Sequence, residues 1–228
     1  MKFIIFMKPL IGLLASLALA TPVMAEIDPT DYKTYHAMGC MLVRDCQDGV
    51  TKVSSAEEVA AFYPGRDFGR VTEELNVLFE LFALNGIEVF VAEGKYFPRL
   101  HRGVYSTEYN KFYLNVDYMY DPETVLSVTR HEGWHAAQDC MAGSLQNTSI
   151  AIIHHDGYIP QSYQMRADIA YGGGHVVPWE AEAMWAGETP MVTAEALRAC
   201  AGPGKIWETY DPTPLTREWL VKQGYITE

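Results

Sequence analysis

Hydrophobic residues recur at helical spacing in two long segments of the chain. The first follows Asp67, a candidate N-cap, and ends at Asn85-Gly86; its apolar positions are Val71, Leu75, Leu78, Phe79 and Phe82. The second begins at Asp121-Pro122-Glu123, because Asp is a favoured N-cap and Pro fits the first helical position, and it stops near Gly143. Both segments are predicted to be helices.

Shorter segments around these helices predict strands, turns and further helices. A capping-box pattern at Ser55-Ala56-Glu57-Glu58 opens a short helix. One hairpin is predicted around Asp48-Gly49, between strands 41–44 and 50–53, and another around 107–110, between strands 103–106 and 111–119. A further short β-rich run is predicted at 87–91. After a less regular stretch, 142–177, two or three helices are predicted at about 178–186, 193–200 and 213–223.

The chain is predicted to carry a signal peptide followed by one folded domain. Lys2 and Lys8 accompany an apolar run at 9–20, and residues 23–25 fit a small-residue cleavage site, so cleavage is expected after Ala25. An uncleaved N-terminal anchor is the alternative. Residues 26–228 mix helices and strands without a linker or repeat, which predicts a single α+β domain with a small mixed or antiparallel sheet packed on helices.

The charge of the chain narrows its possible partners. The formal net charge is −12, and losing residues 1–25, with two lysines and no acid, would make it −14. Such a surface disfavours nucleic acid and anionic lipid as partners. No second segment is apolar enough to predict a membrane span, so no stable membrane association is expected after cleavage. The predicted location is secreted or periplasmic.

Four cysteines remain in the predicted mature chain. An even number in an oxidising compartment predicts two disulfides, for which three pairings exist. The pairing Cys40–Cys46 with Cys140–Cys200 is favoured, since the first closes a local loop and the second would tie the second long helix to the C-terminal region. A four-cysteine zinc site is the rival, but no C-x-x-C spacing is present.

The candidate chemistry lies in the second long helix, which contains an H-E-x-x-H motif. His131 and His135 are four residues apart and therefore lie on one helix face, where both imidazoles can reach a single Zn²⁺. Glu132 lies beside them and can accept a proton from water at the metal. An amphipathic helix that carries two histidines by chance is the alternative interpretation.

A third ligand is expected in the alanine-rich segment 179–186. A carboxylate buried there is unfavourable unless it is paired or bound to metal, and small alanines allow two helices to approach closely. With its E-x-E-A pattern, this segment makes the chain resemble the compact gluzincins, zinc peptidases with H-E-x-x-H and a downstream helical Glu. The resemblance implies a zincin-like domain with the motif on a central helix, and it places the third ligand at Glu180, with Glu182 as the fallback.

The chain departs from related zinc-peptidase patterns at several positions. Met184 stands where thermolysin-type enzymes have Asp, so no carboxylate partner for a ligand histidine is identified. A metzincin pattern is excluded, because Gln138 and Met141 replace its Gly and third His. The rival third ligands are Asp156, His154 and His155.

Together these features predict an exported zinc-dependent metallopeptidase that acts on peptide or protein substrates, with Glu132 as general base. Candidate stabilisers of the oxyanion are His175, Tyr171 and Tyr163, in the segment before Glu180. Residues 103–106 are a candidate edge strand for docking an extended peptide. The alternative is a catalytically inactive, zinc-stabilised binding or structural protein.

Overall fold

The fold combines helices with one small sheet, as the α+β prediction requires. The computed structural model describes residues 35–202, apart from 99, 144, 146–148, 155–156 and 175. Within these residues there are seven α-helices and four strands, in the order α1 Tyr35–Leu42, β1 Val50–Val53, α2 Ala56–Ala60, α3 Gly69–Leu84, β2 Glu88–Ala92, β3 Gly103–Ser106, β4 Lys111–Asn115, α4 Pro122–Met141, α5 Gln161–Tyr171, α6 Val177–Glu188 and α7 Val192–Ala201.

The sheet is mixed and covered on both faces. Its order is β1-β2-β4-β3, in which β2 and β4 run parallel and the outer pairs antiparallel. On one face Val89 and Phe112 join the main core with α3 and α4, and on the other Phe90 and Tyr113 stack near α1 at 5.0 Å between ring centroids. All five residues of β4 are therefore buried, and among the described residues β3 has a strand neighbour on one side only.

The motif helix α4 lies at the centre, between α3, α6, α7 and the sheet. Its N-cap is Asp121, whose carboxylate accepts a hydrogen bond from the Thr124 amide at 2.9 Å. Halfway along it, a Cβ on Gly133 would come within 2.9 Å of both Phe82 on α3 and Thr193 on α7. Glycine at this position lets three helices meet around the motif.

A buried ion pair joins α4 to its neighbours. Arg130 donates to both carboxylate oxygens of Glu74 on α3, with the Nε–Oε1 contact at 2.7 Å. Glu74 also accepts from the Met191 amide at 2.9 Å, just before α7. A buried charge is tolerated when it is paired and hydrogen-bonded, so this cluster fixes α3, α4 and the start of α7 together.

Both favoured disulfide pairings are confirmed. Cys40 pairs with Cys46 after α1, and Cys140 at the end of α4 pairs with Cys200 in α7. Two disulfides are consistent with an exported protein. The predicted signal peptide at 1–25 and the predicted helix at 213–223 lie outside the described residues.

Across the described parts of 35–202, no helix combines the length and apolarity that a membrane crossing needs.

Several strand and loop predictions were wrong or need revision. Residues 41–44 do not form a hairpin strand: Met41 and Leu42 end α1, and β1 pairs with β2 instead. Strand β4 stops at Asn115, where the Asn side chain accepts from the Asp117 amide and starts a 3-10 turn. The stretch 142–177, expected to be irregular, contains α5.

An unusual carboxyl group connects α4 to the edge strand β3. Asp139 is fully buried, and Tyr105 Oη donates to its Oδ2 at 2.8 Å. Within the described residues, its Oδ1 has no hydrogen-bond partner. Burial raises the pKa of Asp139 to about 8, because the charged form loses its hydration. The folded state therefore binds this proton more tightly than the unfolded chain does.

Replacing Asp139 by Asn is expected to remove a pH dependence of stability. Between about pH 4 and pH 8 the unfolded chain releases the Asp139 proton while the folded chain keeps it, so the wild type loses stability as the pH rises. Urea unfolding should show Asp139→Asn to be more stable relative to wild type at pH 8 than at pH 4, by on the order of a few kcal/mol. The matched control is Asp168→Asn on the exposed part of α5; equal pH profiles for wild type and Asp139→Asn would contradict the prediction.

Candidate metal centre

Three predicted ligands come together between α4 and α6. His131 and His135 lie one turn apart on α4, with their Nε2 atoms 3.2 Å from each other. Glu180, in the first turn of α6, places Oε2 3.4 Å from His131 Nε2 and Oε1 3.6 Å from His135 Nε2. Each of the three side chains is partly buried, so the donor atoms face one small space beside α4.

The spacing of these donors fits a tetrahedral ion. Ligand atoms about 2.0–2.1 Å from zinc at tetrahedral angles lie about 3.3–3.4 Å apart. The two imidazole nitrogens are 3.2 Å apart, and each has one oxygen of the Glu180 carboxylate at 3.4 or 3.6 Å, so the side chains are close to that spacing. Glu180 Oε2 is buried and has no hydrogen-bond partner among the described residues. Two imidazole nitrogens and a carboxylate oxygen are also a donor set that suits zinc, so the residues fit the metal that the sequence predicts.

Close packing of α6 on α4 brings the Glu180 carboxylate next to His131 and His135. Gly187 lies two turns after Glu180 on the same face of α6, and a Cβ there would be 3.0 Å from the Ser127 carbonyl oxygen of α4. The buried Ala183 and Ala186 lie in the same contact. Small residues thus allow a short side chain on one helix to reach the histidines of the other, as the alanine-rich pattern predicts.

The electrostatics of the three donors are strongly coupled. Burial alone would raise the pKa of Glu180, but the adjacent imidazoles outweigh it and hold that pKa far below its usual range. Burial likewise opposes the charged form of His135, yet the Glu180 carboxylate raises the pKa of His135 to about 9. Without a metal, the His135 imidazole therefore carries the positive charge that faces Glu180, and a bound cation would displace that proton.

Gln138 fixes the orientation of one ligand and was missed at the sequence level. Its Nε2 donates to the Trp179 carbonyl at 3.1 Å and to Glu182 Oε2 at 2.9 Å. Because the Trp179 carbonyl can only accept, the amide oxygen must face His135 Nδ1, which lies 2.8 Å away. Nδ1 then carries the hydrogen, and the His135 Nε2 lone pair is directed at the site.

Glu182, the fallback ligand, does not join the three donors. Its carboxylate is buried and accepts from a different set of groups: Trp134 Nε1, Gln138 Nε2 and the Ile153 and His154 amides. Burial raises the pKa of Glu182, while these donors oppose the shift. The carboxylate thus anchors the segment after α4 to α6.

The rival ligands are not part of the described donor group. His154 is buried and stacks on Trp134 and Tyr158, with ring centroids 5.5 and 4.0 Å away. Asp156 and His155 lie outside the described residues, as does the oxyanion candidate His175.

Glu132 lies at the inner wall of a cleft of about 440 Å³. The side chain is 5% exposed, and a Cβ on Gly103 of β3 would lie only 2.7 Å from its Oε1. Burial raises the pKa of Glu132, and the nearby histidines partly oppose that shift. His131 lines the same cleft, so a buried carboxyl group and one ligand histidine face a space that can hold a substrate.

The two remaining oxyanion candidates have different environments. Tyr171 lines the cleft. Tyr163 Oη donates to Glu188 at 2.9 Å, so its hydroxyl hydrogen is already engaged. Of the two, only Tyr171 is among the residues that line the cleft.

Comparisons with protein families, with curated proteins and with solved structures found no match to this chain.

Replacing Gln138 by Met is expected to weaken zinc binding by about 10- to 100-fold, the usual effect of losing a hydrogen bond to a ligand histidine. Met preserves the side-chain length but removes the contact that orients His135. A competition titration with a chromogenic chelator measures the affinity.

The matched control is Trp134→Phe, which also removes a donor to Glu182 but leaves the His135–Gln138 contact in place. It should change zinc affinity by less than about threefold. Equal losses in the two variants would show that Gln138 acts only through general stability.

Proposed function

We propose that this protein is an exported zinc-dependent metallopeptidase with His131, His135 and Glu180 as metal ligands and Glu132 as general base. The observation that carries the proposal is the meeting of three side chains: the His131 and His135 Nε2 atoms are 3.2 Å apart, and the two oxygens of the Glu180 carboxylate lie 3.4 Å from the first and 3.6 Å from the second. They come from two helices that are distant in sequence, and Glu132 lies beside them in a cleft. A purely structural site would not need that carboxyl group.

The chemistry divides between the metal and the chain. Zinc, when bound, supplies a Lewis acid that lowers the pKa of a water and polarises a peptide carbonyl. Glu132 accepts the proton as water attacks and delivers it to the leaving amine. A raised pKa suits both steps, because the carboxyl group must take up and release a proton near neutral pH. Because Gly103 has no side chain, the Glu132 carboxyl group can lie directly against the backbone of β3.

The cleft has features that suit an extended peptide. Strand β3 lies at the edge of the sheet, and its first residue, Gly103, lines the cleft beside Glu132. An edge strand offers unpaired backbone groups, to which a peptide can add as a further strand. Such docking would place a peptide bond of the substrate next to Glu132 and His131.

The arrangement supports a gluzincin-like assignment for the domain. An H-E-x-x-H helix at the centre and a carboxylate ligand from a later helix are the two features on which that resemblance rests. The position taken by Asp in thermolysin-type enzymes is Met184 here, and Gln138 provides the contact to a ligand histidine instead.

Glu180→Gln and Glu182→Gln provide a matched test of the metal site, since both make the same isosteric change on α6. Glu180→Gln is expected to weaken zinc binding by more than about 100-fold, because a metal ligand contributes more than its outer contacts do. Glu182→Gln should retain one zinc per chain. Metal content of the purified chains by atomic emission, before and after reconstitution with zinc, gives the result.

Two outcomes would count against the site. One zinc in both variants would move the third ligand away from Glu180. No zinc in the wild type, even after reconstitution, would remove the basis for an enzyme.

Glu132→Gln is expected to retain zinc and to lose at least about 100-fold in hydrolysis of a peptide library, since a positioned general base contributes about 10²–10⁴-fold. Mass spectrometry of the digested library measures the loss. If the wild type binds zinc but cleaves no more than the variant, the inactive binding-protein alternative gains support.

A further inference from the structure

The charged groups along the cleft are unequally paired. Arg166 and Glu188 line one wall and form an ion pair at 2.7 Å, and Glu188 also accepts from Tyr163. Arg102 lines the same cleft. Among the described residues, no carboxylate oxygen lies within 4.0 Å of the Arg102 guanidinium, and it makes no side-chain hydrogen bond.

Arg102 acts electrostatically on Asp121, the N-cap of α4. Asp121 owes its lowered pKa first to the Thr124 amide and hydroxyl, and Arg102 adds a smaller effect. Both carboxylate oxygens of Asp121 already accept from Thr124, at 2.9 and 2.8 Å. Asp121 therefore stabilises the helix start, and within the described part of the chain the Arg102 guanidinium has no direct carboxylate partner.

The backbone of Arg102 is held firmly beside the catalytic groups. Asn115 is fully buried at the end of β4. Its backbone N–H donates to the Arg102 carbonyl at 2.9 Å, and its side-chain Nδ2 donates to the His101 carbonyl at 2.8 Å. The next residue, Gly103, lies against Glu132. An extended chain advances about 3.3 Å per residue, so the Arg102 side chain starts one residue from the reacting position.

We infer that Arg102 selects peptides with a carboxylate side chain, Asp or Glu, within one or two residues of the bond that is cleaved. This inference rests on the proposed function and names its substrate class. A guanidinium presents a planar fork of donors that binds a carboxylate bidentately. Arg166 is already paired with Glu188, so among the described residues that line the cleft Arg102 is the arginine that remains available to a docked peptide beside Glu132.

The acidic surface of the protein does not prevent this selection. The net charge of −12 is spread over the whole chain, and at physiological salt its field is screened beyond about 8 Å. Recognition within the cleft depends on the contacts made there. Overall repulsion lowers the association rate for acidic peptides, while the Arg102 contact lowers their dissociation rate.

Binding can be measured separately from hydrolysis by using zinc-loaded Glu132→Gln protein. The probes are fluorescein-labelled, alanine-based octapeptides that carry Glu, Gln or Lys at one central position, measured by fluorescence anisotropy. The Glu peptide is expected to bind about 10-fold or more tightly than the Gln peptide, with the preference declining as salt rises. Adding Arg102→Ala should abolish the preference, and Arg102→Glu should transfer it to the Lys peptide.

Arg198→Ala is the matched control, because this exposed arginine lies on α7, outside the cleft lining; it should keep the preference for Glu. Equal affinity for the Glu and Gln peptides, including no measurable binding of either, overturns the inference, as does a preference that survives Arg102→Ala. The proposed function is tested separately by cleavage of the same peptides with wild-type protein. Cleavage without charge preference would leave the peptidase and remove Arg102 as its selector.

Discussion

The burial of one polar helix is the constraint on which the rest of this structure depends. Helix α4 carries ionisable and amide side chains into the protein interior, where each is unfavourable without a partner. Three neighbouring elements supply the partners: α3 pairs with Arg130, β3 with Asp139, and α6 with Gln138 and both motif histidines. The need to pair the polar side chains of α4 therefore sets the positions of the neighbouring elements, and the cleft is formed where those elements meet.

The environment assigns different roles to two carboxylates on one helix. Glu182 is surrounded by N–H donors from the indole, the amide and the backbone, so it serves as an anchor. Glu180 meets imidazole nitrogens that lie close to one another, and one of its oxygens has no hydrogen bond among the described residues. The two side chains are chemically identical, and only what surrounds them separates an anchoring carboxylate from a candidate metal ligand.

Local rules were sufficient for part of this arrangement. Spacing of four on a capped helix predicted the histidine pair, and small residues in the later helix predicted the approach of Glu180. The segment 41–44 was interpreted as a strand because four residues cannot distinguish helical from strand periodicity. In the structure its first half ends α1, which packs on the second face of the sheet. Gln138 gave no signal, since a glutamine on a helix is usually solvated; its role depends on α6, which sequence spacing does not locate.

The donor set has a consequence for when a metal can be held. Helix α4 alone presents two imidazoles, and the carboxylate is contributed only after α6, some 45 residues later in the chain, has packed against it. An ion bound by all three therefore binds the folded chain and not its unfolded form. Because the ion binds only the folded chain, tighter metal binding also raises the free energy needed to separate α4 from α6. Such an ion would act as a reversible cross-link, complementing the covalent one at the far end of the same helix.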